Sequence, residues 1–128
     1  MDGKRCADVL AGLSPEDRCR VHYYAIFPNL LLSLHPDYMM THTLWPRSPE
    51  RTEVICEWHF HPEAIAQPGF DPRRAVEFWD MTNRQDWQIT ELAQLGLKSR
   101  VYTPGPYSHR EDLLYYFDRI VAQDGPPS

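Results

Sequence analysis

The sequence predicts an α+β fold, an antiparallel sheet of about three strands packed on one long helix plus a C-terminal helix. Three observations predict it. Residues 21–60 hold runs rich in aromatic and β-branched side chains, separated by turn residues. The turns between these runs are too short for crossover helices, which makes neighbouring strands antiparallel. Residues 72–95 then carry apolar side chains at three- and four-residue steps, the period of a helix lying on a core.

The elements follow in order. Residues 1–20 read as a short lead-in, with Val9, Leu10 and Leu13 able to form one apolar helical turn and Ser14-Pro15 marking a helix start. VHYYAIFPNLLLSLH (21–35) reads as one long strand. Its even positions, Tyr24 to Leu34, are almost wholly apolar, and its odd positions are mixed. Pro28 cannot donate to a ladder, so a bulge or an edge position is expected there. After the turn at His35-Pro36-Asp37, residues 37–46 form a second strand and 52–60 a third. Val54, Cys56, Trp58 and Phe60 share one face of the third, with Glu57, His59 and His61 on the other. Residues 62–72 form a linker, and Asp71-Pro72 starts a helix that ends near Gly96. Ser108 caps a final helix over 109–122, and 124–128 form a flexible tail. A three-stranded sheet of this kind keeps open edges. The whole chain, 1–128, is read as a single, partial domain.

With 42% hydrophobic and 24% charged residues in 128, the chain has the composition of a globular domain. Its net charge of −5 and the absence of a basic stripe exclude a nucleic-acid partner. The longest apolar run, Leu30 to Leu32, is too short to span a bilayer, and the first residues lack a secretory core, so a soluble cytoplasmic protein without a membrane partner is expected. Three cysteines, none in a CxxC or CxH spacing, imply reduced thiols rather than a disulfide or zinc framework.

Three groups of residues bear on chemistry. His59 and His61 stand two apart on a strand and face the same way, as a metal pair or as two solvent-facing imidazoles. Trp45, Trp58, Trp79, Tyr23, Tyr24 and Phe27 are candidates for an aromatic cage around a quaternary ammonium, or for ordinary core packing. Asp86 is the sharpest. It sits in the helical stripe of Trp79, Asn83, Ile89 and Ala93, where a carboxylate is costly unless paired, protonated or bound to a metal.

Four segments occur together in one order: YYAIFPNLLLSLHPDYMMTHTLWP, EWHFHPEA, EFWDMTNRQDWQITELAQLGLKSR and PGPYS. Over residues 12–120 the chain resembles the C-terminal part of the catalytic domain of the Rieske non-haem iron oxygenases, the ring-hydroxylating oxygenase alpha subunits. Within them it is most similar to the branch acting on choline, glycine betaine or related ammonium compounds. The resemblance implies a partial START-like helix-grip, with a curved sheet wrapping the long helix and a pocket between them. It implies a mononuclear Fe(2+) held by two histidines and one carboxylate, the carboxylate followed five positions later by glutamate. Asp86 and Glu91 meet that spacing, so Asp86 is the implied catalytic iron ligand, with Asn83 and Gln85 beside it. Tyr23, Leu31, Ser33, Trp79, Thr82 and Asn83 are the implied substrate-pocket residues.

Other parts of the family's pattern do not occur in this sequence. Its histidine ligands stand about five apart, a spacing that the six histidines here do not reproduce. The CxH and CxxH motifs that hold the family's 2Fe-2S cluster do not occur either. The resemblance therefore implies a missing N-terminal half or a separate Rieske-domain chain as partner. It also implies a ferredoxin or flavin reductase carrying NAD(P)H electrons, a small-molecule substrate and a homotrimeric assembly. Alone, the chain is expected to be inactive. A non-catalytic START-like module for a small ligand and a truncated remnant stand as alternatives.

Overall fold

The structure, a computed structural model, describes residues 4–124. The elements are a 3-10 turn (Asp17–Cys19), β1 (His22–Ile26), β2 (Leu30–Leu34), β3 (Tyr38–Ser48), β4 (Arg51–Phe60), α1 (Pro62–Ile65), α2 (Arg73–Leu97) and α3 (Asp112–Asp124). The strands form one antiparallel sheet in the order β1-β2-β3-β4. The α+β class and the meander are those expected, with one more strand. Residues up to 94 form one compact unit and those from 95 a second.

The extra strand comes from Pro28. The run expected as a single strand folds at Phe27-Pro28-Asn29 into the β1–β2 hairpin, with Ile26 opposite Leu30. Proline removes the N–H that a continuous strand needs there. Asn29 fixes the turn to the neighbouring strand: Leu44 N–H donates to its carbonyl at 2.8 Å and its Nδ2 donates to the Leu44 carbonyl at 3.0 Å. β3 runs past the expected end at Pro46 to Ser48, with the register shifting around Arg47. Helix α2 begins where Asp71 accepts the Arg73 N–H at 3.0 Å, and it passes through Gly96 to Leu97. That pairing with Arg73 holds the Asp71 carboxyl down at about 2.

Two smaller expectations are corrected. No helical turn forms over Val9–Leu13. Instead the Leu10 N–H donates to the Pro36 carbonyl at 2.8 Å, tying the lead-in to the β2–β3 turn. The 62–72 linker contains α1, whose Glu63 N–H is accepted by His61 Nδ1 at 3.3 Å. The tail expected at 124–128 lies, apart from Asp124, outside the described residues, as do residues 1–3. Among the described residues no helix is long and apolar enough to cross a membrane.

Within the first unit the core is small and one-sided. Tyr38, Met40 and Ala75 are its buried apolar members, with Cys6, Cys56, Trp58, Phe60 and Trp79 packed around them. Opposed residues of paired strands project to one face. The face toward α2 therefore carries Tyr38 and Phe60, then Ser33, Met40 and Trp58, then Leu31, His42 and Cys56. In the second unit α3 starts from a cap in which the Ser108 N–H donates to the Glu111 carboxylate at 2.6 Å and Ser108 Oγ accepts from the Arg110 N–H at 3.3 Å. Tyr107 donates to Asp118 and packs edge-on against Tyr115.

Burial pushes the Tyr38 hydroxyl up to about 12. A group that holds its proton more tightly when folded contributes stability that is complete below its unfolded value and is lost as pH rises through the folded value. Stability should therefore fall between pH 10 and 12. Tyr38→Phe should flatten that fall, and its ultraviolet titration should differ from wild type by one late-ionising tyrosine. A missing tyrosine that ionises near 10 would contradict the assignment.

Candidate active site

Helix α2 meets the sheet along one row, Ala75, Trp79 and Asn83, spaced four apart so that each lies above the last. The apolar end comes first. Trp79 Nε1–H donates to the Tyr38 hydroxyl at 2.9 Å, and the His35 ring stacks on Tyr38 at 4.2 Å, with the rings 10° apart. Burial lowers the His35 pKa and keeps that ring neutral. One turn on, the contact becomes polar. Asn83, only 6% exposed, donates from Nδ2 to Cys56 Sγ at 3.5 Å, and its Oδ1 stands 3.2 Å from His42 Nε2. A carbonyl oxygen only accepts, so His42 carries its proton on Nε2 in this arrangement. His42 also meets Trp79 edge-on at 6.1 Å.

Tyr23, Leu31 and Ser33 share the helix-facing side of the sheet with His42 and Met40. Ser33 is buried, while Leu31 and Tyr23 lie open on the β1–β2 side. Trp79 and Asn83 face them from α2. Thr82 Oγ1 donates to the Phe78 carbonyl of its own helix at 3.0 Å. Asp86 lies three residues beyond Asn83, on the same side of the helix by its period, and is exposed. The buried environment read from the stripe is therefore not found. Burial ends at Asn83, and Ile89 beyond it is 66% exposed. A period identifies a face; it does not supply a surface to cover that face.

The six-residue cage is also divided. By register Tyr24 and Trp45 stand on the sheet face away from α2, opposite to Tyr23 and Trp58, while Phe27 lies in the hairpin turn. His59 sits on that outer face across from Met39, and His61 serves as the α1 cap. Among the described residues no three His, Cys, Asp or Glu side chains gather as metal donors. Reading the sequence missed the part played by His42. The signal was present: His42 alternates with Met40 and Leu44 along an apolar strand face.

Two clefts lie elsewhere, against the N-terminal segment. One, of about 1040 Å³, is lined by residues 4–11, His61 and Phe70. The other, of about 450 Å³, is lined by Arg5, His35, Asp37, Tyr38, Arg74 and Phe78, among others. Neither includes Asn83 or Asp86. Buried Asp37 accepts the Cys6 N–H at 3.1 Å there, joining the segment to the sheet.

Burial pushes the Cys56 thiol up, partly offset by the hydrogen bond from Asn83, and burial likewise raises Cys6. Cys19 is exposed. A thiol reagent at neutral pH should therefore label Cys19 first, and Cys56 at a comparable rate only after denaturation. Labelling of Cys56 in the folded chain as fast as Cys19 would show its sulfur to be disengaged from Asn83.

Residues 1–124 match the ring hydroxylating alpha subunit (catalytic domain) family. Glycine betaine monooxygenase oxygenase subunits from two Pseudomonas aeruginosa strains, UCBPP-PA14 and PAO1, are each 40% identical over 98 residues, covering 72% of this chain and 23% of theirs. That of Chromohalobacter salexigens is 32% identical over 108 residues, or 84% of this chain and 24% of its own. The putrescine 2-hydroxylase of Bordetella bronchiseptica is 27% identical over 119 residues, 88% of this chain and 27% of its own. The chain thus spans between 23% and 27% of the length of these curated relatives. With a family match over nearly its whole length, the chain belongs to the ring-hydroxylating oxygenase alpha subunits, within their catalytic domain.

Proposed function

We propose that the chain forms the C-terminal part of the catalytic domain of a cytoplasmic Rieske-type mononuclear non-haem iron oxygenase acting on a small ammonium compound, with Asp86 as the carboxylate it contributes to the iron. The observation that carries this reading is the family match over residues 1–124, together with 32–40% identity to proteins named for glycine betaine. The putrescine hydroxylase, whose named substrate is also an amine, supports the substrate class.

A carboxylate oxygen is a hard donor suited to iron(II). Asp86 is exposed, and among the described residues its carboxylate has no hydrogen-bond or ion-pair partner. It is nevertheless a single donor, and no second gathers beside it among the described residues. The chain alone therefore does not fit the ion. In this reading the histidine donors and the 2Fe-2S cluster belong to another segment or partner chain, and the isolated chain is inactive. Iron in a centre completed by those donors would supply the activation of dioxygen, with electrons from NAD(P)H. This chain's residues supply part of the wall against which a substrate would lie: exposed Tyr23 offers a ring suited to an ammonium, and Leu31 an apolar floor, with Trp79 packed behind them on the core. For an N-methyl substrate, a centre completed by the missing donors would supply hydroxylation of the methyl carbon, with formaldehyde as the released product.

The test is anaerobic iron binding, first by the chain alone and then with a co-expressed N-terminal half or Rieske-domain chain. The expected result is stoichiometric iron only in the assembled protein, lost in Asp86→Ala, with formaldehyde formed from glycine betaine. Iron retained in Asp86→Ala would remove the assignment. Because no donor trio gathers among the described residues, a second reading is a metal-free ligand module. Saturable binding of betaine, choline or carnitine by the chain alone would favour it.

A further inference from the structure

We infer that His35 is a proton-operated latch: when its ring takes a proton, the β2–β3 turn lets go of residues 6–10 of the N-terminal segment. The inference stands apart from the reading of Asp86.

The observations meet on three consecutive residues. The His35 ring stacks on Tyr38 at 4.2 Å and meets Trp79 edge-on at 5.7 Å, so it is part of the packing between β3 and α2. Pro36 accepts the Leu10 N–H through its carbonyl at 2.8 Å, and Asp37 accepts the Cys6 N–H through its carboxylate at 3.1 Å. The turn that buries the imidazole is therefore the turn that holds the segment. Swinging the ring out to water moves residues 35–37, and both acceptors go with it. Arg5 donates instead to the Arg18 carbonyl at 2.9 Å, within the lead-in itself. Cys6 also packs against the core of Tyr38, Met40 and Ala75, so its release opens that core beside the start of α2.

The ring is poorly placed to become charged where it stands. Its Nε2 is buried with no partner among the described residues. A neutral imidazole tolerates this as a bare acceptor. In the cation both nitrogens donate, and a buried N–H without an acceptor costs free energy. The titratable and charged groups around the cleft of about 450 Å³ come from three places: Asp37 and Tyr38 at the turn, Arg74 and Glu77 on α2, and Lys4, Arg5 and Cys6 in the segment. Burial pushes the ring's pKa down, and Asp37 only partly restores it. A ring freed from the packing takes its proton at the ordinary value, 6.5. Protons therefore favour the released turn. The latch is fully closed above that value and loosens as pH falls below it.

The experiment follows amide exchange of the full chain from about pH 7.5 to about pH 5, each rate taken relative to an unstructured peptide at the same pH. Protection of the Cys6 and Leu10 amides should be constant above 6.5 and fall below it, while β3 and β4 keep theirs. For a one-proton event the fall is at most about tenfold per pH unit. It should level off where the His35 ring titrates in the folded chain, read from its ring-proton resonances. His35→Phe keeps an aromatic ring in the stack and cannot take the proton, so Cys6 and Leu10 should stay equally protected throughout. Asp37→Asn keeps an acceptor for the Cys6 N–H and removes the neighbouring carboxyl, so the pH dependence should persist. Four results overturn the proposal: protection indifferent to pH, the same fall in His35→Phe, its disappearance in Asp37→Asn, or simultaneous loss of protection in β3 and β4, which is global unfolding. Should His35→Phe fail to fold, the wild-type ring decides. A folded-state titration at or above 6.5 overturns the latch, and one below it, where the fall in protection ends, sustains it.

Discussion

Helix α2 is held to the sheet by one row of side chains, and the contact changes character along its length. At Trp79 it is aromatic, closed by the hydrogen bond to Tyr38. At Asn83 it is polar, closed by His42 and Cys56. Both partner strands, β3 and β4, lie on one side of the meander, so the side-chain contacts of α2 do not extend to β1. This asymmetry explains why Met40 is fully buried while Tyr23, on the same face two strands away, is 64% exposed. It also leaves an apolar strip of sheet open beside the polar end of the contact.

That arrangement has an energetic consequence. A core with three buried apolar residues offers modest hydrophobic stabilisation, and the interior carries polar groups as well. His35 Nε2, Thr41 Oγ1 and Trp58 Nε1 are buried without a partner among the described residues. An unpaired buried group costs about 1–3 kcal/mol. Asn83 avoids that cost because both ends of its amide are engaged. Polar groups of this kind weaken a core but give it a preferred geometry.

Much of the fold was legible in the sequence. Helix α2 followed from its period and from Asp71-Pro72, and the third expected strand coincides with β4 because alternation of Val54, Cys56, Trp58 and Phe60 is a local signal. The β1–β2 hairpin was harder to read. Its flanks share one alternating pattern, so Pro28 reads as a bulge or an edge position rather than as a reversal. His42 went unremarked as a site residue because its significance depends on Asn83, a residue 41 positions away. The exposure of Asp86 was out of reach for a related reason. Sequence period orients a side chain relative to its own helix, whereas burial depends on what the rest of the protein places opposite it.

This bears on the role proposed for Asp86. A carboxylate placed in a core survives there by giving its oxygens to donors, usually an arginine or backbone N–H groups, and those bonds remove it from metal chemistry. The acids of α2 and its cap that take such bonds do so outside the stripe: Asp80 with Arg84 at 2.8 Å, and Asp71 with Arg73. Asp86 takes none among the described residues. It lies three residues past Asn83, the last buried residue of α2, and is exposed. An exposed acid needs no such partner, and Asp86 keeps its oxygens open to solvent. Free oxygens are what the role proposed for Asp86 requires, that of a donor to a centre completed by other residues.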